Sequence, residues 1–335
     1  MTAQDITQGI VFKPRNNYTH KPSNDQEYDL IIIGLGVAGY ASAMYASRLG
    51  LKVLLIGEQP GGTLALTGRV ENYPGFVSIE GQKLTDLLEN HVMDYDVDMD
   101  IAIVDYIERK ENEFNVISGN KKYSSKTIVL ATGAQVKKLR VKGEEEFFGK
   151  GVDYCALCDA AFIKGKTVVV AGGGDSAVKE AILVTEYAKK VYIINNEKET
   201  HPEHHNKKVL DDKIKQGQVI VVNNNEITEI TGRKKVEKII LKNEFDGSKE
   251  LSVEGIFVYI GHKPKSELAK KIGVKLNDKK EVIINNHSET NIKGFFASGD
   301  VTNIDWKQAI IGVSQGVTAS YYAYQYILKI KNKVI

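Results

Sequence analysis

Asp29-Leu30-Ile31-Ile32-Ile33-Gly34-Leu35-Gly36-Val37-Ala38-Gly39 is the stretch on which the fold turns. Asp29 to Ile33 is a short apolar run without alternation, which predicts a parallel strand buried on both faces. A GxGxxG turn follows at once, and Tyr40 to Leu49 reads as a helix closed by Gly50. Strand, glycine turn and helix together form the context that a dinucleotide-binding turn requires. Gly34 permits the tight turn, Gly36 lets backbone approach a pyrophosphate, and Gly39 lets the helix pack close to the strand. The helix N-terminus then faces the phosphates with its partial positive charge. Lys52 to Ile56 reads as the next strand, and Glu58 stands near the ~20-residue offset at which a carboxylate accepts from a ribose hydroxyl.

The same unit occurs a second time. Lys166 to Val170 reads as a strand, Gly172-Gly173-Gly174-Asp175-Ser176-Ala177 as a GxGxxA turn, Val178 to about Ala188 as a helix, and Val191 to Ile194 as a strand. Two complete units predict an α/β chain with two Rossmann-like dinucleotide-binding domains. Gly172, Gly174, Ser176 and Ala177 are the expected pyridine-nucleotide contacts. The following strand ends in Asn195-Asn196-Glu197-Lys198, where the choice between a 2′-hydroxyl and a 2′-phosphate falls. A 2′-phosphate calls for arginine, and none stands there. Glu197 repels a phosphate and accepts from a hydroxyl, while Lys198 partly offsets it.

Between the two turns lies Tyr154-Cys155-Ala156-Leu157-Cys158-Asp159, which holds both cysteines of the chain. Such a pair reads as a redox dithiol or as half of a zinc site. No further cysteine completes a zinc site, and His201-Pro202-Glu203-His204-His205 reads as a solvated loop and helix start, so no metal is expected. The composition sets bounds on the rest. A chain of 335 residues, 42% hydrophobic and 26% charged, suits two globular domains. A net charge of +2 gives no general attraction to nucleic acid or to a membrane surface. No apolar run approaches the ~20 residues that span a bilayer. Residues 1–27 read as a polar arm without a signal-peptide core. With only two cysteines, a reducing cytoplasm is expected, where a disulfide is catalytic more often than structural.

Further landmarks follow in order. Pro60-Gly61-Gly62-Thr63-Leu64 is a loop whose backbone suits a flat ligand, and Val70 to Phe76 is a turn carrying Asn72. Gln82 to Asp94 predicts an amphipathic helix. Phe114 to Ile117 and Lys126 to Leu130 predict strands, the latter running into Ala131-Thr132-Gly133-Ala134. Gln135 to Lys142 and Gly261 to Pro264 read as linkers. Val219 to Val222, Val236 to Leu241, Gly255 to Ile260 and Glu281 to Ile284 predict strands. Another strand ends at Gly299-Asp300, where a carboxylate suits ribityl hydroxyls. Lys307-Gln308-Ala309 opens a long helix to about Leu328, and its N-terminus favours electron density on a nearby ring.

This ordered set, with the Cys-x-x-Cys in the second unit, resembles the low-molecular-weight, prokaryotic-type thioredoxin reductases of the flavoprotein disulfide reductase family. The resemblance runs from about residue 28 to the C-terminus. It implies an FAD-binding domain split into residues 28–136 and 263–335, with a pyridine-nucleotide-type domain inserted at 137–262. It places FAD against Gly34, Gly36, Gly39, Glu58, Gly61, Gly62, Thr63, Asn72, Thr132, Gly133, Asp300, Lys307, Gln308 and Ala309. It implies electron flow from donor through FAD to the Cys155–Cys158 disulfide and on to thioredoxin or a similar small dithiol protein. Cys158 is then the flavin-facing sulfur, Cys155 attacks the partner, and Asp159 carries the proton. It further implies a cytoplasmic homodimer, and the charge and hydropathy already lead to no nucleic-acid or membrane partner being expected.

Three departures stand out. The family's His-Arg-Arg stretch is Asn195-Asn196-Glu197 here, which leaves NADPH, NADH or a different donor open. Thr63 stands where glutamine is common, and Lys307 where arginine is. A peroxide-forming oxidase and a non-catalytic redox sensor are the rival readings from other classes.

Overall fold

The computed structural model describes residues 22–66, 69–70, 72–111, 113–154 and 163–332. The chain divides into two units: Val136–Lys263 forms one, and the chain up to Gln135 together with the chain from Pro264 forms the other.

The larger unit is built on a sheet in the order Val97–Ile101, Val53–Gly57, Glu27–Ile33, Lys121–Leu130, Phe114–Ser118, Tyr106–Arg109, with Phe295–Ala297 also pairing on Lys121–Leu130. Its nucleotide-turn half is parallel. Ile33 pairs level with Ile56 and with Leu130, and Leu130 with Ala297. Four strand ends therefore finish on one line, and Gly34, Glu58, Thr132 and Asp300 all follow from that edge. Alternation along the strands feeds two cores. Leu30, Ile32, Leu55, Val129 and Phe296 pack with Ala43, Ala46, Ala319 and Ala323 of the helices Val37–Arg48 and Ala309–Lys331. Ile31, Ile33, Leu54, Ile56, Ile128 and Leu130 face the other core. Each such side chain, fully withdrawn from water, contributes about 1.5–3 kcal/mol.

The smaller unit repeats the plan with a five-stranded parallel sheet, in the order Val152–Asp153, Gly255–Val258, Thr167–Ala171, Lys190–Ile194, Val219–Val222. Ala171 pairs level with Ile194 and Val258, so Gly172, Asn195 and Tyr259 emerge side by side. A three-stranded antiparallel sheet, Ile227–Gly232, Val236–Phe245 and Ser248–Ser252, completes it.

Some elements differ from the sequence expectations. The second nucleotide-unit helix is Asp175–Val184, beginning directly after the turn, because Asp175 and Ser176 belong to its first turn. Val97–Ile101 is a strand that the pattern did not suggest. Its Asp98 and Asp100 are tied down by the phenols of Tyr28 and Tyr123 at 2.7 and 2.8 Å, so polar residues occupy strand positions at no cost in unpaired groups. Glu281 to Ile284 is not a strand. The turn closed by Asn277 and Glu281 leaves only Val282 bridging to Leu276 and Thr302. Among the described residues, no helix is long and apolar enough to cross a membrane.

Candidate functional site

The first glycine turn closes with Gly34 at φ +127°, a conformation that excludes other residues, and a Cβ there would run into the Ala131 carbonyl. Gly36 is the N-cap of the helix Val37–Arg48; no side chain caps that end and its first turn has no acid. The leading N–H groups of this helix are thus left for an external acceptor. Gly62 comes opposite: a Cβ on it would lie 3.1 Å from the Gly36 Cα. The two bare backbones form a cradle that any side chain at Gly62 would crowd. This fits the phosphate-bearing part of FAD.

Side chains fix that cradle from outside. The buried Tyr40 hydroxyl accepts from the Gly61 N–H at 3.1 Å and donates to Glu89 at 2.6 Å. Burial, and then the Glu89 carboxylate, push this phenol well above its ordinary pKa, so it stays a neutral donor. Tyr40 was not among the expected site residues; its place one turn into the nucleotide helix was the only signal. Asn72 Nδ2 donates to Gln308 Oε1 at 2.8 Å, joining two expected FAD residues across a long stretch of sequence. Gln315 Oε1 accepts from the Gly299 N–H at 2.8 Å and steadies the turn Gly299–Val301, which carries Asp300.

Other expected residues are engaged within the chain. Glu58 pairs with Lys265 at 3.1 Å, and the Thr132 hydroxyl donates to the Lys265 carbonyl at 2.7 Å. The Gly133 carbonyl accepts from the Lys265 N–H. The Lys307 ammonium donates to the carbonyls of Asp300 and Thr302 and pairs with Glu281 at 2.8 Å. Burial opposes ionisation of Glu281, but the bonds from Lys307 and Asn277 prevail and hold its carboxyl below the usual range. Thr63 lies in the short helix Gly62–Ala65, and Ala309 begins the long helix after its N-cap Gln308.

The second turn has the same backbone and a different front. Gly172 has φ +132°, and a Cβ there would meet the Tyr259 carbonyl. Gly174 caps the helix Asp175–Val184, with Ser176 exposed and Ala177 buried in its first turn. Asn195, 1% exposed, lies against Gly173, where any Cβ would strike its side-chain amide. Its Nδ2 donates to the carbonyls of Glu197 and Glu199 and to Asn223 Oδ1. The His201 N–H donates to the Gly173 carbonyl at 2.7 Å, and Glu197 pairs with His201 Nε2, also at 2.7 Å. Asp175 is paired with Lys179 at 2.8 Å and accepts from the Glu203 N–H and Asn206.

Cys155, Cys158 and Asp159 lie outside the described residues; the chain enters that stretch from Tyr154 and leaves it at Ile163, both within the smaller unit.

A family model described as pyridine nucleotide-disulphide oxidoreductase matches residues 28–316. The chain belongs to that family of oxidoreductases. Within it, the chain stands among the FAD-dependent, low-molecular-weight thioredoxin reductases, as its relatives show. It is 37% identical over 314 residues to a thioredoxin reductase of Listeria innocua, covering 92% of this chain and 97% of the relative. A solved thioredoxin reductase of Lactococcus lactis superposes with a TM-score of 0.80 at 33% identity, covering 90% of this chain and 99% of that one. A solved ferredoxin-flavin thioredoxin reductase of Clostridium acetobutylicum is 31% identical with a TM-score of 0.50, covering 91% and 99%.

Proposed function

We propose that this protein reduces the disulfide of a thioredoxin-type protein through the pair Cys155–Cys158, with FAD held by the first glycine turn. The observation that carries this reading is the uncapped helix end and bare Gly36–Gly62 cradle in one unit, with the Cys-x-x-Cys carried by the other. FAD, when bound, supplies a two-electron carrier between the donor and the disulfide. The residues 28–136 and 263–335 are assigned to FAD, and 137–262 to the insert.

With the pair reduced, the Cys155 thiolate attacks one sulfur of the partner's disulfide. An S–S bond forms between Cys155 and the partner, and the partner's other sulfur leaves as a thiolate. Asp159 gives that thiolate a proton. The Cys158 thiolate then attacks Cys155, which restores the Cys155–Cys158 bond and releases the second partner sulfur as a thiolate that takes its proton from water. Two electrons leave the pair and two thiols appear on the partner. As in the family it resembles, the protein acts as a cytoplasmic homodimer. Stoichiometric anaerobic reduction with dithionite, followed by oxidised thioredoxin, should return the flavin absorbance and yield two new thiols per thioredoxin. Flavin that stays bleached would overturn the reading.

The donor calls for a second reading. The Glu197–His201 pair and the self-bonded turn around Asn195 stand where a 2′-phosphate would need arginine. These features favour a donor without that phosphate, either NADH or a reduced iron–sulfur protein. A solved relative of Clostridium acetobutylicum carries the name ferredoxin-flavin thioredoxin reductase, which supports the second of these donors. Anaerobic bleaching with NADPH, NADH and reduced ferredoxin side by side tests this. Fast bleaching by NADPH alone contradicts it.

A further inference from the structure

Glu144 is 1% exposed, and among the described residues no lysine or arginine pairs with it. A buried carboxylate without a cation is costly unless other donors replace its water. Three do so here. The Leu139 N–H donates to Oε1 at 2.8 Å, the Arg140 N–H to Oε2 at 2.6 Å, and the Tyr154 hydroxyl to Oε1 at 2.9 Å. Arg140 adopts φ +60°, unusual for a non-glycine residue, and two successive N–H groups thereby converge on the carboxylate.

The turn bearing Glu144 is itself fixed. Its Lys142 carbonyl accepts from the Ile230 N–H at 2.9 Å, and Lys142 pairs with Glu229 at 2.7 Å. Tyr154 is also held by the ring of Phe148, 5.6 Å between centroids. Burial and the Glu144 carboxylate both keep its phenol protonated. Tyr154 directly precedes Cys155. One anchored carboxylate thus grips the last side chain before the redox pair.

We propose that Glu144 is a positioning residue for the dithiol step, acting through Tyr154 to fix the main chain that delivers Cys155. This rests on the disulfide-reductase reading above. It separates two half-reactions: donor to flavin should not feel Glu144, and dithiol to thioredoxin should. Gln at 144 keeps the shape but loses one of the two acceptor oxygens, and Phe at 154 removes only the hydroxyl.

The test uses the full chain with FAD. Y154F and E144Q are compared with wild type for flavin content, rate of bleaching by dithionite, thioredoxin turnover, and the alkylation rate of the reduced cysteines by iodoacetamide at one pH. Y154F should hold full flavin and bleach normally, yet lose about tenfold in thioredoxin turnover, the equivalent of one hydrogen bond. E144Q should lose more, and both should alter cysteine alkylation. Y154F with wild-type turnover and alkylation overturns the proposal, even if E144Q fails to fold. If wild type itself reduces no thioredoxin, the functional reading fails, and the alkylation comparison still decides the role of Glu144.

Discussion

The two glycine turns share a backbone and differ in what stands before them. Gly34 and Gly172 have φ of +127° and +132°, and each lies so close to the carbonyl just past the end of a neighbouring strand, Ala131 or Tyr259, that no Cβ fits. In front of the first stands another bare glycine, Gly62, next to Gly61, whose N–H is held by Tyr40. In front of the second stands its own chain: Asn195 against Gly173, and the His201 N–H on the Gly173 carbonyl. The turn motif therefore guarantees a fold and only permits a ligand. The residues that oppose the turn decide how readily one enters.

The largest effect should come from the shared feature. G34A forces a side chain into a left-handed conformation and into the Ala131 carbonyl, a cost of about 3 kcal/mol or more. It should yield protein without flavin, read from the visible spectrum. G172A should destabilise the smaller unit comparably yet leave flavin bound. Equal flavin loss in both variants breaks the comparison.

A smaller effect lies six residues beyond the middle glycine. In the first helix that place is Ser42, bonded to Ser320 at 2.7 Å. In the second it is Glu180, whose buried Oε2 has no hydrogen-bond partner among the described residues. Burial raises its pKa to about 7, against an ordinary value of 4.5, with Tyr259 opposing. A carboxyl raised in the folded state binds more protons there than in the unfolded state between those pH values. Stability therefore falls as pH rises from 4.5 to 7, and the penalty is fully present above 7. E180Q should match wild type near pH 4.5 and exceed it at pH 8 by on the order of 2 kcal/mol. Thermal melts at the two pH values measure this, and a pH-independent difference contradicts it.

Next comes the strand end. Replacing the Glu197–His201 pair with arginines, E197R/H201R, should raise anaerobic bleaching by NADPH about tenfold, since arginine forks phosphate. No change would mean that the 195–201 segment does not govern donor choice. The smallest effect is N72A, which removes the Asn72–Gln308 bond and should weaken FAD retention by about 1 kcal/mol in equilibrium dialysis.

Much of this was legible in the sequence, for a physical reason. The strands that feed both turns are apolar on both faces, and their glycines follow without a gap, so pattern and turn chemistry agree. Legibility failed where a residue's partner is distant in the chain or is a backbone group. Asp98 and Asp100 look wrong for a strand until Tyr28 and Tyr123 supply donors. Tyr40 looks like an ordinary core aromatic until Gly61 and Glu89 meet its hydroxyl. Lys307 is an expected FAD contact, while its ammonium is engaged by the Asp300 and Thr302 carbonyls and by Glu281. Glu144 carried no signal at all, because its donors are two backbone N–H groups and one tyrosine.

The most direct test of the account is a C155S variant assayed for both half-reactions. It should retain FAD and bleach with the wild-type donor at an unchanged rate, yet reduce no thioredoxin. Wild-type thioredoxin turnover by C155S would contradict the assignment of the interchange thiol and the function built on it.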